Sequence, residues 1–317
     1  MSLLNAQLLD FNHLFKSRMS IESTTIQPYN FDSLSLTRNA YRVSALIPLK
    51  SKFDVGVSLK DFFNKDILKK DGLKNFIGKV EPTYHQWFLK LDGGVGEYFS
   101  EGLGYRKTYM GSVGVNGITV KLKKLKLRTS VYGATLSTEN TFDINPFPRA
   151  SAVYMRAKVK NLNTIYAYGL YAAYFNGRVV ASPVLFVNGK ITSNLNYTLL
   201  LPAQAKITWK ASKNWKQDIL ILSAQGYPMT HSDAGSNPIY YTETGLRLST
   251  QSRIRIKKRV NIYSELGWQG FSQYHLRTVG ENTISKTDIN PAFFGRLRIS
   301  VNFGKALISS SFADFDI

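Results

Sequence analysis

The sequence predicts an all-β chain: a closed antiparallel transmembrane β-barrel of about 12–14 strands, with tight turns at one end and longer loops at the other. Three observations carry this expectation. The stretch Ile239–Phe271 alternates in character along two long arms. The same arm–turn–arm device recurs near residues 50, 123, 161, 189, 213 and 258. No apolar run of about 20 residues is available for a membrane helix, although 44% of the chain is hydrophobic and the mean hydropathy is −0.17.

In the first arm of Ile239–Phe271, Leu246, Leu248, Ile254 and Ile256 fall on one face. Glu243, Arg247, Arg253 and Arg255 fall on the other. That is period two, the repeat of a strand with two unlike faces. Folding the arms about Lys257–Arg259 sets Ile256 against Val260, Ile254 against Ile262, Leu248 against Trp268, Arg253 against Tyr263 and Gln251 against Glu265. Like meets like at nearly every rung, as a true antiparallel register requires. Each arm is about twice the usual 5–6 residues of a globular strand.

The remaining elements follow in order. Met1–Gln7 (MSLLNAQ) reads either as the tail of a secretory signal or as an ordinary disordered N-terminus, with 8–317 as one barrel domain. Arg18–Gln27 alternates around Met19 and Ile21 as a first strand. Leu34–Pro48 and Phe53–Leu59 read as a hairpin turning at Lys50-Ser51-Lys52. Leu59–Ile77 breaks the pattern, because Leu59, Phe62, Phe63, Ile67, Leu73 and Ile77 recur at helical spacing. It reads as a short amphipathic helix that lies on the rim, plugs the lumen or grips an envelope protein partner, or else as a folded loop covering its own apolar face. His85–Leu91 alternates, and Asp92-Gly93-Gly94 reads as a turn; Gly102–Gly117 is strand or loop.

Val120–Gly133 repeats the hairpin device, and Ser137–Arg149 reads as a polar loop with two prolines. Val153–Phe175 turns at Lys160-Asn161-Leu162-Asn163. Val179–Val187 leads to Asn188-Gly189, a type I′ turn signal. Asn194–Leu201, Ala205–Ala211 and Trp215–Leu222 are short arms separated by Pro202-Ala203 and Ser212-Lys213-Asn214. Gly226–Pro238 and Ser272–Asn290 read as loops, and Pro291–Gly304 as the last strand. By the usual asymmetry of such barrels, the Lys turns are periplasmic and residues 60–83, 137–149, 227–238 and 272–290 extracellular.

The run VVASPVLFVNGKITSNLNYTLLLPAQAKITWKASKNW, Val179–Trp215, with its Leu-Leu-Pro strand end, resembles outer-membrane barrels of Bacteroidota. More narrowly it resembles a family of such barrels defined only as a domain of unknown function. The resemblance extends over Val179–Gly304. It implies the barrel fold and the outer membrane of a Gram-negative cell, and no activity.

Composition bounds the chemistry. Lys+Arg number 41 against Asp+Glu 21, a formal charge of +20, pointing to an anionic lipid surface, an anionic solute or nucleic acid. The basic residues are spread along alternating arms, and no nucleic-acid motif is present, so nucleic acid is not the expected partner. With no cysteine there is no disulfide and no thiolate metal site. His13, His85, His231 and His275 show no metal-ligand spacing, so no metal or cofactor is expected. His231-Ser232-Asp233 has triad residue types, but adjacent side chains diverge. Gly111–Gly117 lacks the following helix of a dinucleotide loop.

The candidate lumen residues are Arg247, Arg253, Arg255, Arg296 and Arg298, with Glu243, Glu265 and Tyr263 among them. They make either a path for anions or a ladder of ion pairs filling a narrow barrel. The expected function is therefore non-enzymatic: a narrow pore for small anionic solutes, or a membrane scaffold. The alternatives are a barrel-embedded lipid enzyme and a soluble basic β-sandwich.

Overall fold

Strand pairing follows the alternation, and the first strand meets the last. The computed structural model describes residues 17–31, 34–56, 81–100, 104–123, 126–141, 147–161, 164–175, 178–225, 229–231, 239–257, 259–278 and 283–303. The strands are β1 (Arg18–Phe31), β2 (Leu34–Gly56), β3 (Glu81–Ser100), β4 (Gly104–Lys123), β5 (Lys126–Thr141), β6 (Phe147–Asn161), β7 (Thr164–Phe175) and β8 (Arg178–Lys190). They continue with β9 (Leu195–Leu201), β10 (Gln204–Lys210), β11 (Trp215–Gln225), β12 (Met229–His231), β13 (Ile239–Lys257), β14 (Val260–Thr278), β15 (Thr283–Ile289) and β16 (Ala292–Asn302).

All pairings are antiparallel between neighbours, and β1 pairs with both β2 and β16, from Arg18↔Asn302 to Ile26↔Phe294. β12 extends the line of β11 along β13, and β15 extends that of β16 along β14. The wall therefore has 14 strand positions and no open edge at the seam. Closure pairs the first strand with the last, so neither is left as a bare edge in lipid.

The faces sort as the alternation requires. Leu246, Leu248, Ile254, Ile256, Leu297, Ile299 and Val301 point outward and are between 42% and 58% exposed. A β-sandwich would bury these residues between its sheets, so that alternative is excluded. The inward positions are buried. On one side of the interior Phe88, Ile118, Val131, Met155, Val184, Phe186 and Leu200 pack into an apolar cluster. The opposite side is polar. The interior is filled by side chains at the level of these residues.

Several local expectations are corrected. Lys50-Ser51-Lys52 is not a turn: β2 runs through it, and both halves pair with β3. A register shift between Pro48 and Ser51 absorbs the irregularity, where the Gln86 side-chain amide donates to the Leu49 carbonyl at 3.1 Å. Asp92-Gly93-Gly94 lies mid-strand in β3. A Cβ at Gly94 would sit 2.7 Å from the Tyr41 carbonyl oxygen, so glycine serves close strand approach there, not a turn. Gly102–Gly117 is largely β4.

Asn188-Gly189 is likewise inside a strand, β8. Asn188 faces inward and donates to Thr198 Oγ1 at 2.9 Å, while Gly189 lies under the Tyr197 ring. The turn comes at Ile191–Asn194, where Thr192 Oγ1 accepts from the Leu195 amide at 3.1 Å. The loops expected at Ser137–Arg149 and Ser272–Asn290 are shorter. Ser137 pairs with Arg149 in the ladder, and β14 continues to Thr278 past a bulge at Phe271, where φ is 50°. At Lys257–Arg259 a bulge makes Lys257, not Ile256, the partner of Val260.

One correction concerns sidedness. The chain leaves β2 at Gly56 and enters β3 at Glu81 at the same end as the connections after Lys123, Asn161, Lys190, Lys210 and Lys257. Ser17 and Phe303 also meet at that end, with the Phe303 amide bonded to the Ser17 carbonyl at 2.9 Å. The strand ends that bracket 60–83 thus stand at the end of the short connections, not at the end expected for the other long loops. The helix expected over Leu59–Ile77 and the signal remnant Met1–Gln7 lie outside the described residues.

The packed interior gives a test. Phe186→Ala is expected to lower stability by about 3–5 kcal/mol, measured by denaturant unfolding of the refolded barrel. Leu170→Ala, on the outer wall, should cost clearly less. Equal losses would mean that Phe186 does not sit in a dry interior.

Candidate functional site

The polar side of the interior is built by β11, β13, β14, β16, β1, β2 and β3, in that order round the wall. Because the registers are continuous, inward residues form rows. One row reads Lys216, Arg253, Tyr263, Arg298, Glu22, Arg42. The next reads Asp218, Gln251, Glu265, Arg296, Thr24. Acids on β1 and β14 thus alternate with the arginines of β16.

The contacts follow from these rows. Arg296 Nη1 lies 3.2 Å from Glu265 Oε2, and its Nε lies 3.7 Å from Glu22 Oε1. Arg296 Nε also donates to Thr24 Oγ1 at 3.3 Å. Arg298 reaches Glu22 Oε2 at 4.0 Å and stacks on Tyr263, its Cζ 4.0 Å from the ring centroid. Glu265 is only 2% exposed. It accepts from Ser249 Oγ at 2.7 Å and from Gln251 Nε2 at 3.2 Å. Both carboxylate oxygens are therefore engaged, as burial of a charge demands. Next along the wall, Asp92 holds Arg42 at 3.1 Å and Lys90 at 2.9 Å, and accepts from Ser112 Oγ at 3.0 Å.

Arg296, Arg298, Glu265 and Tyr263 come together as expected from the sequence, and Arg253 shares their row. Arg247 lies nearer the other end of β13, donating to Gln269 Oε1 at 2.6 Å and lying 5.1 Å over the Phe294 ring. Arg255 keeps its inward register opposite Asn261, but it is exposed at the rim. Glu243 pairs with Tyr274 at the far end of β13, and its side chain is outside the described set.

Sequence reasoning missed Glu22, Arg42, Lys90 and Asp92. Glu22 was within reach: alternation about Met19 and Ile21 places it inward, and closure must set the first strand beside the last. Asp92 was hidden by its reading as a turn residue. Among the described inward side chains of these strands below the rim, Arg38, Arg42, Lys90, Lys216, Arg247, Arg253, Arg296 and Arg298 face Glu22, Asp92, Asp218 and Glu265. Cations exceed acids, and aromatic faces at Tyr263 and Phe294 take part of the excess.

No protein-family model matches the chain, and no curated protein matches it. Among solved structures it is similar to an outer-membrane channel from Pseudomonas putida F1, at 9% identity and a TM-score of 0.41 over 91% of this chain and 96% of that one. It is similar to the transport unit of the autotransporter AIDA-I from Escherichia coli, at 8% identity and a TM-score of 0.32 over 91% and 90%. The toluene transporter TodX of Pseudomonas putida matches at 6% identity and a TM-score of 0.30 over 92% and 91%. At these values nothing about activity follows.

Two acids share Arg296, and this sets a non-additive expectation. Glu22→Gln or Glu265→Gln alone leaves one carboxylate. The double variant leaves a buried guanidinium without an acid and is expected to lose about 3–5 kcal/mol. Adding Arg296→Met should restore most of it. Unfolding midpoints of the four proteins decide; strictly additive losses with no rescue would show that the pairs do not act as one unit.

Proposed function

We propose that the chain is an outer-membrane β-barrel of a Gram-negative cell whose interior is closed by its own side chains, and that it serves as a membrane scaffold. The observation that carries the membrane assignment is the layering of the outer wall. Exposed Trp87, Tyr168, Trp209 and Trp215 lie toward the end where Ser17 and Phe303 meet. Exposed Phe99, Tyr105, Tyr109 and Tyr174 lie toward the other end. Val43, Leu91, Val113, Leu170, Ile219 and Leu248, also exposed, lie between.

The spacing matches a bilayer. Trp87 and Phe99 are on one strand, and the path between them is about 40 Å at ~3.3 Å per residue. At a tilt of about 40° this spans roughly 30 Å, close to the ≈ 25 Å apolar band of such barrels with its two aromatic girdles. No soluble protein gains from exposing apolar wall of this extent.

The scaffold reading rests on the buried ladder. An open water-filled lumen would leave Glu265, Tyr263, Gln251 and Ser300 solvated, whereas each is under 10% exposed. The non-enzymatic reading rests on the same ladder: Glu22, Asp92 and Glu265 are held in ion pairs, and the Ser249 hydroxyl donates to Glu265. A phospholipid hydrolysis assay tests the enzyme alternative. A second reading, a narrow anion path, is favoured by the excess of inward cations over acids.

Two measurements separate these readings. Leu248→Arg, midway along β13, is expected to destabilise the barrel in lipid by about 2–4 kcal/mol; a neutral effect would argue against a membrane wall. In planar bilayers the folded protein is expected to give no steady conductance. An anion-selective conductance weakened by Arg255→Glu would overturn the scaffold reading in favour of the pore.

A further inference from the structure

The outer wall is not uniform. Residues 104–210, from β4 to β10, contain fifteen Lys and Arg but only Glu139 and Asp143 as acids. Glu139 pairs with Met110 and Phe147, toward the far end of β5 from the short Lys124-Leu125 turn. On the outward face near that turn the register lines up Lys121, Arg128, Lys158 and Tyr166 across four neighbouring strands. One rung further into the wall come Ser130, Arg156, Tyr168 and Leu185. Arg128, Arg156 and Lys158 are exposed, and Lys158 Nζ lies 5.3 Å from the Tyr168 ring centroid. No carboxylate on these strands can reach this group.

Below the cations the wall is hollow. β8 pairs with β9 only from Leu185 to Lys190, because β9 and β10 have seven residues each. The β8 edge above Leu185 therefore has no partner on that side, and it carries Pro183, which lacks an N–H to offer. A hollow of ≈ 880 Å³ lies against this notch, lined by Tyr154, Tyr168, Leu170, Pro183, Leu185 and Leu201, with Arg156 at its edge. Its walls are almost wholly apolar and its volume is in the range of ligand sites. Cations at the interfacial level above an apolar hollow have the shape and charge order of an amphiphile with a negative head.

We propose that the outer wall of β5–β8 binds an anionic phospholipid, its headgroup on Arg128, Arg156 and Lys158 and its acyl chains in the hollow over Leu170 and Pro183. The proposal rests on the membrane reading above. The charge row selects the headgroup, since each Lys or Arg near an anionic surface adds to its attraction. The notch gives the chains a seat.

The test is native mass spectrometry of the detergent-solubilised full chain with added phosphatidylglycerol, phosphatidylethanolamine or phosphatidylcholine. Retention of phosphatidylglycerol is expected to exceed that of phosphatidylcholine by roughly tenfold or more. Arg128→Gln/Arg156→Gln/Lys158→Gln should abolish that preference. Leu170→Trp, which fills the hollow, should lower retention of all three lipids. All the substituted side chains are exposed, so the barrel should fold in both variants, as heat-modifiable gel mobility verifies. Equal retention of charged and zwitterionic lipids would overturn the proposal. Full displacement by inorganic phosphate would overturn it in favour of a simple anion site. A chain that is monomeric and soluble without detergent would instead defeat the membrane reading itself.

Discussion

Closure between β1 and β16 is the constraint on which the rest of the molecule depends. Lipid offers no water to unpaired backbone groups, so a spanning sheet must have no edge. Here the seam is held twice. The ladder runs from Arg18↔Asn302 to Ile26↔Phe294. Across it, Glu22 on the first strand reaches Arg296 and Arg298 on the last. The ion pairs lie on the inner face, where burial makes an unmet charge costly and hence makes wrong register costly as well. A slip of one residue would send these arginines to the outer face and Leu297 and Ile299 to the interior.

The interior divides into two unlike halves. From β2 to β9 it is apolar, with Phe88, Met155 and Phe186 nearly fully buried. From β11 round to β3 it is a network of guanidinium, carboxylate and amide groups. The two halves fill space by different means. Close-packed hydrocarbon contributes area and dispersion without direction. The ionic half contributes direction, since each guanidinium has one favourable orientation to its carboxylate. Together they fix the register of the barrel more closely than its largely apolar outer face can.

The fold was legible because period two survives any error in turn placement. Parity alone put Leu248, Ile254 and Ile299 outward and Arg253, Glu265 and Arg296 inward. The hairpin register was legible because its two arms are adjacent in sequence. Turn residues misled where glycine, asparagine or lysine stood within strands for other reasons. Gly94 permits close approach of β2, Asn188 bonds Thr198 on the neighbouring strand β9, and Lys50 sits in a bulge. Glu22 was not paired with Arg296 in the sequence reading, because that contact depends on closure, which no local pattern encodes.

The seam also imposes an order of events. The Arg296–Thr24 contact spans 272 residues of chain, so the carboxylate of Glu22 can meet its guanidinium partners only after the final strand has arrived. Every earlier hairpin can zip to its neighbour, yet β1 keeps a bare edge throughout. Loop-closure entropy of that size is recovered only at the last step. Insertion of this chain is therefore a process with a lock at its end. A chain shortened by its last strand would keep the pairings from β1 to β14 and still fail, since among the described strands only β16 covers that edge of β1.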